Sequence, residues 1–240
     1  MNVRFLRRRL RALPRGWFLM AWLSLLAVAV VGVVDMGNHL NGTRGWFPAL
    51  ASPIFDGGRD RGVGEVVGYV FLLVAAGALT WIAAARRGTA THVVLACGLL
   101  VLVADDSLGI HENLGGRLAE ALGLQSALAL RGQDFGELLV WALLGIPLAV
   151  GYLLALPHTT RASRREALVV CGVVAVMAVV TAGLDMLGPA GGYFGWPERL
   201  RSLVSLAETV GKLATMALIM LTALAFAARA ARRAGGPVEE

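Results

Sequence analysis

The sequence predicts an all-α integral membrane protein, a bundle of six transmembrane helices with both termini in the cytoplasm. Hydrophobic residues make up 57% of the 240 residues, and only 16% are charged. Mean hydropathy is +0.69, and six apolar runs each approach the roughly 20 residues that cross a hydrocarbon core. Because these runs are continuous rather than alternating, they exclude a transmembrane β-barrel.

Three regions divide the chain. Residues 1–16 are expected to form a basic cytoplasmic N-terminus, residues 17–228 the six-helix transmembrane domain, and residues 229–240 a cytoplasmic tail. The first apolar run has full spanning length and no small-residue cleavage site at its end, so we expect a retained helix rather than a signal peptide. The predicted spans cover 17–36, 65–85, 92–110, 137–156, 167–187 and 204–228.

The distribution of arginine predicts the orientation. With an even number of spans, 14 of the 21 arginines lie in the segments on the side of the N-terminus, which the positive-inside rule assigns to the cytoplasm. We therefore expect a multi-pass protein of the bacterial inner membrane whose basic rim meets anionic lipid headgroups. The chain offers no soluble basic surface for nucleic acid, and it leaves open a membrane-protein partner or a homo-oligomer.

The third apolar run carries the most unusual side chains. Asp105 and Asp106 lie inside it, and His111 and Glu112 lie at its edge. A charged group in the bilayer costs at least ~3 kcal/mol, so such groups are buried against partners. Two adjacent carboxylates cannot easily both ionise, so either one keeps its proton or a metal or basic side chain sits between them.

Most other acidic residues fall near the predicted outer ends of helices. Asp35 and His39 are spaced i, i+4 at the end of the first span, a spacing that fits two ligands of one metal and equally a helix-end ion pair. Glu208 comes early in the last span. Carboxylates with imidazoles suit Zn, Mn or Fe. The predicted metal ligands are Asp35, His39, Asp105, Asp106, His111, Glu112 and Glu208, with Asp106 or Glu112 as the catalytic base.

Lys212 is the only lysine in the chain, and it lies one turn beyond Glu208 in the last span. Three interpretations remain open. It pairs with Glu208 at i, i+4, or its ammonium reaches toward the outer surface, or it supplies the positive charge that the acidic residues need. Residues 114–130, mixed in polarity, are expected to include a short interfacial helix.

These residues carry a family resemblance. The run Asp105-Asp106-x4-His111-Glu112, with Glu208 in the last span, resembles uncharacterised bacterial polytopic membrane proteins with an Asp-Asp/Glu-x4-His-Glu helix. The last span departs from that pattern, which has two or three glutamates there. The resemblance implies the topology and the choice of residues, and it implies no reaction.

The leading functional hypothesis is an acidic, metal-binding site near the extracytoplasmic face. In it, a metal-activated water or a redox metal acts on a lipid-linked or periplasmic substrate. A second hypothesis is a proton- or cation-coupled transporter or channel component in which Asp105, Asp106 and Glu208 bind the ion. A third is an accessory membrane subunit without chemistry, whose polar face packs on a partner.

Overall fold

The computed structural model describes residues 14–56, 62–127 and 130–234. Most of the predicted basic N-terminus and the last residues of the predicted tail lie outside this part of the chain. The described residues form helices and short 3-10 turns and contain no strand. The helices are α1 (Arg15–Arg44), α2 (Val63–Ala85), α3 (Ala90–Leu108), α4 (Ile110–Leu122), α5 (Gly132–Ala155), α6 (Arg161–Tyr193) and α7 (Glu198–Ala234).

All of these helices except α4 are long and apolar enough to cross a membrane. This confirms the six predicted spans and indicates a multi-pass membrane protein. Helices α1, α6 and α7 are each ten or more residues longer than the predicted spans. At 1.5 Å per residue, the 37 residues of α7 extend about 55 Å, whereas the hydrocarbon core is about 30 Å thick. The apolar run predicts only the part of the helix that lies in the hydrocarbon core. The helix itself continues into the polar sequence on either side.

The bundle has two distinct ends. The loop end carries the connections α1–α2, α3–α5 and α6–α7, and the turn end carries the tight connections α2–α3 and α5–α6. At the turn end, Thr89 and Thr159 form an antiparallel β-bridge, and the Thr160 amide donates to the Gly88 carbonyl at 2.9 Å. Trp17 Nε1 donates to the Leu221 carbonyl at 2.9 Å, so the start of α1 packs against the second half of α7.

Helix α7 is the centre of the bundle and packs against α1, α2 and α6. The fully buried core lies mainly on α2, α3, α6 and α7 and is rich in alanine. Ala75, Leu79, Ile82 and Ala223 are each 0% exposed. Small residues let helices in a membrane approach closely, and the resulting van der Waals packing holds them together. Polar side chains on α7 are thereby brought close to α2.

Helix α3 ends two residues earlier than predicted. Gly109 adopts a left-handed conformation with φ of +61° and connects α3 directly to α4. In a continuous helix the i, i+7 spacing of Asp105 and Glu112 would place both on one face. The chain turns between them at Gly109, so this expectation is wrong. Helix α4 is the short helix expected within 114–130, displaced toward the N-terminus. It packs on α5, where Gly115 and Gly136 are in close backbone contact.

Candidate functional site

Lys212 joins three helices at the loop end. Its Nζ lies 2.7 Å from Asp106 Oδ2 of α3 and 3.1 Å from Glu65 Oε1 of α2. Tyr69 donates its hydroxyl to the other oxygen of Glu65, Oε2, at 3.0 Å. We call Lys212, Asp106 and Glu65 the lysine triad. The three side chains are 15 to 20% exposed, so the ion pairs are mostly shielded.

The packing of α2 against α7 explains why Glu65 meets Lys212. Gly68 faces α7 so closely that an added Cβ would touch the Met216 sulfur. Glu65 lies one turn before Gly68 on the same face of α2. Asp106 reaches the same point from the end of α3. Of the three interpretations of Lys212, the structure agrees with the one in which its ammonium supplies positive charge to an acidic residue, here Asp106. The alternative pairing of Lys212 with Glu208 is not observed among the described residues.

Asp105 is held by the turn that follows α3. His111 donates its backbone N–H to Asp105 Oδ1 at 2.9 Å, and its Nδ1 lies 2.9 Å from Asp105 Oδ2. The His111 and Trp141 rings lie 5.3 Å apart. Burial lowers the pKa of His111, but the hydrogen bond and charge of Asp105 outweigh burial and raise this pKa above its ordinary value. The pair therefore favours a protonated imidazole.

The remaining predicted ligands lie elsewhere. Asp35 is 1% exposed and its Oδ1 lies 3.4 Å from His39 Nδ1, the helix-end pair that the spacing allowed. Glu112 Oε1 lies 3.9 Å from His111 Nε2, and its side chain is 40% exposed. The side chain of Glu208, half-buried on α7, makes no hydrogen bond or ion pair with a described residue.

The seven predicted metal ligands are thus divided among separate groups. Within the described ranges, no three His, Cys, Asp or Glu side chains are arranged to hold a metal ion. The expected convergence of their polar atoms on one point is not observed. Lys212 and His111 instead pair with Asp106 and Asp105, the two carboxylates for which a metal or a basic side chain was predicted. The metal-binding and catalytic roles of these residues stay predictions.

A cavity of about 210 Å³ lies beside the lysine triad. Asp105, Asp106 and Lys212 form its polar wall. The hydroxyl oxygen of Thr181, buried in the wall from α6, makes no hydrogen bond within the described structure. The other walls are apolar and come from five helices, with side chains including Leu72, Leu102, Trp141, Leu148, Met177 and Met216.

The turn end holds a second charged group, which sequence reasoning missed. Glu166 Oε2 lies 3.1 Å from Arg86 Nη1 and 3.6 Å from His92 Nε2. His92 is 0% exposed, and neither ring nitrogen makes a hydrogen bond with a described group. We call these three residues the glutamate cluster. In the sequence, this cluster is visible only as one acidic residue among the arginines of the turn end. Arginines in such a position are also typical of the charges that orient a membrane protein, so the pattern did not indicate a cluster.

The family model described as Domain of unknown function (DUF8692) matches residues 25–228. The chain therefore belongs to this family. No curated protein and no solved structure matches the chain. The matched range contains the lysine triad, the cavity and the glutamate cluster.

Proposed function

We propose that this DUF8692 protein is a proton- or cation-coupled transporter, or the ion-binding subunit of one, in the bacterial inner membrane. The lysine triad lies toward the outer face, and both termini are cytoplasmic. One observation carries the proposal: Lys212 bridges carboxylates from two other helices inside an apolar bundle. Ionisable groups in that setting are expensive and mark ion pathways and proton relays.

The charges of the triad favour uptake of a cation. One ammonium faces two carboxylates, so the fully ionised group carries one negative charge in excess. An uncompensated charge in apolar surroundings is costly, and gaining a proton or another cation removes that cost. Asp106 borders the cavity, whereas Glu65 does not. Asp106 is therefore the carboxylate that takes up the ion.

Protonation of Asp106 would also change the packing of the helices. The contact from Lys212 to Asp106 joins α7 to α3, and the contact from Lys212 to Glu65 joins α7 to α2. A neutral Asp106 weakens the first contact and leaves the second intact. The bound ion thus favours a state in which α3 moves relative to α2 and α7, which is the differential interaction that coupling requires.

The His111–Asp105 pair provides a route for the proton. His111 lies in α4, outside the spanning segments, and histidine changes charge in the physiological pH range. Its hydrogen bond to Asp105 leads to the residue adjacent to Asp106. We assign His111 the role of accepting a proton at the loop end and transferring it toward the triad.

A pH jump tests this function without a known substrate. Purified protein in liposomes on a solid-supported membrane should give a transient current when the outer pH changes, because protons bind within the membrane. Asp106→Asn should abolish this current. Glu120→Gln removes one exposed carboxylate of α4 at the same end and should leave the current unchanged. Equal currents in Asp106→Asn and the native protein would refute the proposal.

The metal hypothesis has its own test. Elemental analysis of the purified protein should show no Zn, Mn or Fe bound in proportion to the chain, since Asp106 is already paired with Lys212 and Asp105 with His111. A stoichiometric metal that disappears in the Asp105→Asn/Asp106→Asn double variant would replace the transporter proposal with a metal-dependent enzyme.

The orientation can be tested separately. A reporter that is active only outside the cytoplasm should be silent after Glu240 and active after Gly123 at the loop end. Activity after Glu240 would overturn the proposed orientation of the six spans.

A further inference from the structure

We infer that the cavity beside the lysine triad binds a small lipophilic cation, with its apolar body against the helices and its charge at Asp106. The inference rests on the proposed function, because it names the substrate class of the same site. The juxtaposition of an apolar cavity, two carboxylates and an unpaired hydroxyl carries it.

The walls of the cavity select an apolar body. Leucine and methionine side chains from different helices surround it, and burial of apolar surface stabilises a bound molecule by about 25 cal/mol per Å². The volume of about 210 Å³ lies below the ~300 Å³ at which drug-sized pockets begin. The occupant is therefore a small amphiphile, with space for little more than one ring and its substituents.

The polar wall selects the sign of the charge. Lys212 is already in contact with two carboxylates, so an incoming anion would find no unneutralised positive charge there. Asp105 is paired with His111, which leaves the excess negative charge on the triad. The aromatic ring of Trp141 also lines the cavity, and aromatic rings attract cations.

The Thr181 hydroxyl gives an independent indication of a ligand. Its oxygen is buried and makes no hydrogen bond with a described residue, although it lies in an apolar wall. Buried polar atoms normally have partners, and an orphan in a cavity indicates a partner that the bound molecule or a water supplies. A hydroxyl oxygen offers lone pairs to a cation and so agrees in sign with the carboxylates.

Binding and protonation exclude each other in this arrangement. The cation and the proton both neutralise Asp106, so a cation that enters while Asp106 holds a proton releases that proton. No covalent bond other than the O–H bond of Asp106 changes, and charge is conserved. Exchange of one proton for one monovalent cation follows.

Three soluble probes separate the contributions of apolar body and charge. Benzyltrimethylammonium has both, tetramethylammonium lacks the apolar body, and phenylmethanesulfonate carries the opposite charge. Calorimetry on the full-length protein in detergent should show saturable binding of benzyltrimethylammonium alone. In weak buffer at acidic pH, that binding should acidify the solution. Equal binding of the sulfonate would overturn the inference.

Glycine variants test the location without disturbing the triad. Gly145 lines the cavity, and an added Cβ there meets no atom within 4 Å. Gly145→Leu should therefore fill the cavity and abolish binding. Gly77 also has open space at its Cβ but does not line the cavity, so Gly77→Leu should bind as the native protein does. Unchanged binding in Gly145→Leu would place the ligand elsewhere and reject the inference.

The threonines provide a second matched pair. Thr181→Val removes the unpaired hydroxyl and should weaken binding several-fold. Thr215→Val removes a hydroxyl that bonds to backbone carbonyls of α7 outside the cavity wall, and it should not change binding. A pH-jump current that depends on Asp106, without binding of benzyltrimethylammonium, would reject this inference alone. Binding without such a current would reject the transport function alone.

Discussion

Each end of the bundle pairs one mostly buried charged side chain with side chains of opposite charge, and the sign of the central charge differs between the ends. At the loop end one cation, Lys212, lies between two carboxylates, and at the turn end one carboxylate, Glu166, lies between Arg86 and His92. The glutamate cluster has no excess negative charge, whereas the lysine triad does. Along α3, His92 and Asp106 are about 21 Å apart. Of these two groups, the lysine triad is therefore the one that combines a charge that attracts cations with an adjacent cavity to hold them.

The backbone around the glutamate cluster is also more tightly hydrogen-bonded than the backbone around the lysine triad. At the turn end, Arg164 donates to the carbonyls of Leu156 and Thr159, and the two tight turns are bonded to each other. At the loop end, the α1–α2 and α3–α5 connections are longer than these turns, whereas the α6–α7 connection is as short as they are. We infer that the turn end holds the helices together and that movement linked to ion binding takes place at the loop end.

The largest expected loss of stability follows from removing Lys212, the central charge of the triad. Lys212→Met leaves Asp106 and Glu65 close together without a cation, and breaking a buried ion pair costs about 3 kcal/mol or more. Glu166→Gln at the turn end should cost less, because it leaves one unpaired charge rather than two and the amide still accepts a hydrogen bond from Arg86. Unfolding by sodium dodecyl sulfate in mixed micelles, followed by circular dichroism, measures both free energies.

Lys212→Arg is the control for this comparison, since it keeps the charge and should recover most of the stability. If Lys212→Met and Glu166→Gln cost the same, the two charged groups are equally structural, and the proposed distinction between the ends is wrong.

Substitution of two glycines with positive φ, one at each end, tests how tightly the backbone is constrained there. Gly88 at the turn end has φ of +69° and Gly109 at the loop end +61°, and a side chain in this region costs roughly 1–2 kcal/mol. An added Cβ at Gly88 would lie 2.7 Å from Thr160 Cγ2, whereas at Gly109 the nearest atom is the flexible Asn113 Nδ2 at 3.1 Å. Gly88→Ala should therefore lower the free energy of unfolding more than Gly109→Ala. The reverse order would show that the loop end is the more tightly constrained.

Much of the fold followed from the sequence, because apolar runs of spanning length are a direct consequence of the bilayer. The six spans were predicted, and so was the need of Asp105 and Asp106 for a compensating partner. Which partner each would find was not predictable. Asp106 and Lys212 are far apart in the chain, and their contact depends on how α3 and α7 each pack against α2. The turn at Gly109 separated Glu112 from Asp105, since a glycine in an apolar run can continue a helix or end it.

A smaller effect concerns pH. The pKa of His111 is raised in the folded protein, so its pairing with Asp105 contributes stability. This contribution is fully present below the unfolded pKa of about 6.5. It is lost as pH rises through the pKa of the folded protein. His111→Gln should remove this part of the pH dependence of unfolding. His158→Gln, an exposed change at the turn end, should retain it. A native protein that gains stability through this range would show that the imidazole is neutral in the pair.

The smallest effect is expected for Arg131, at the start of α5. Its guanidinium makes two hydrogen bonds to Asp134, at 2.7 and 3.0 Å, but its side chain is 59% exposed. Water already solvates an exposed arginine, so Arg131→Ala should cost less than about 1 kcal/mol. The Asp134 carboxylate also accepts from the Arg131 backbone N–H at 2.7 Å, a bond that alanine keeps. A cost near that of Lys212→Met would mean that an exposed pair at the loop end is as important as the triad, and burial would no longer explain why Lys212 matters.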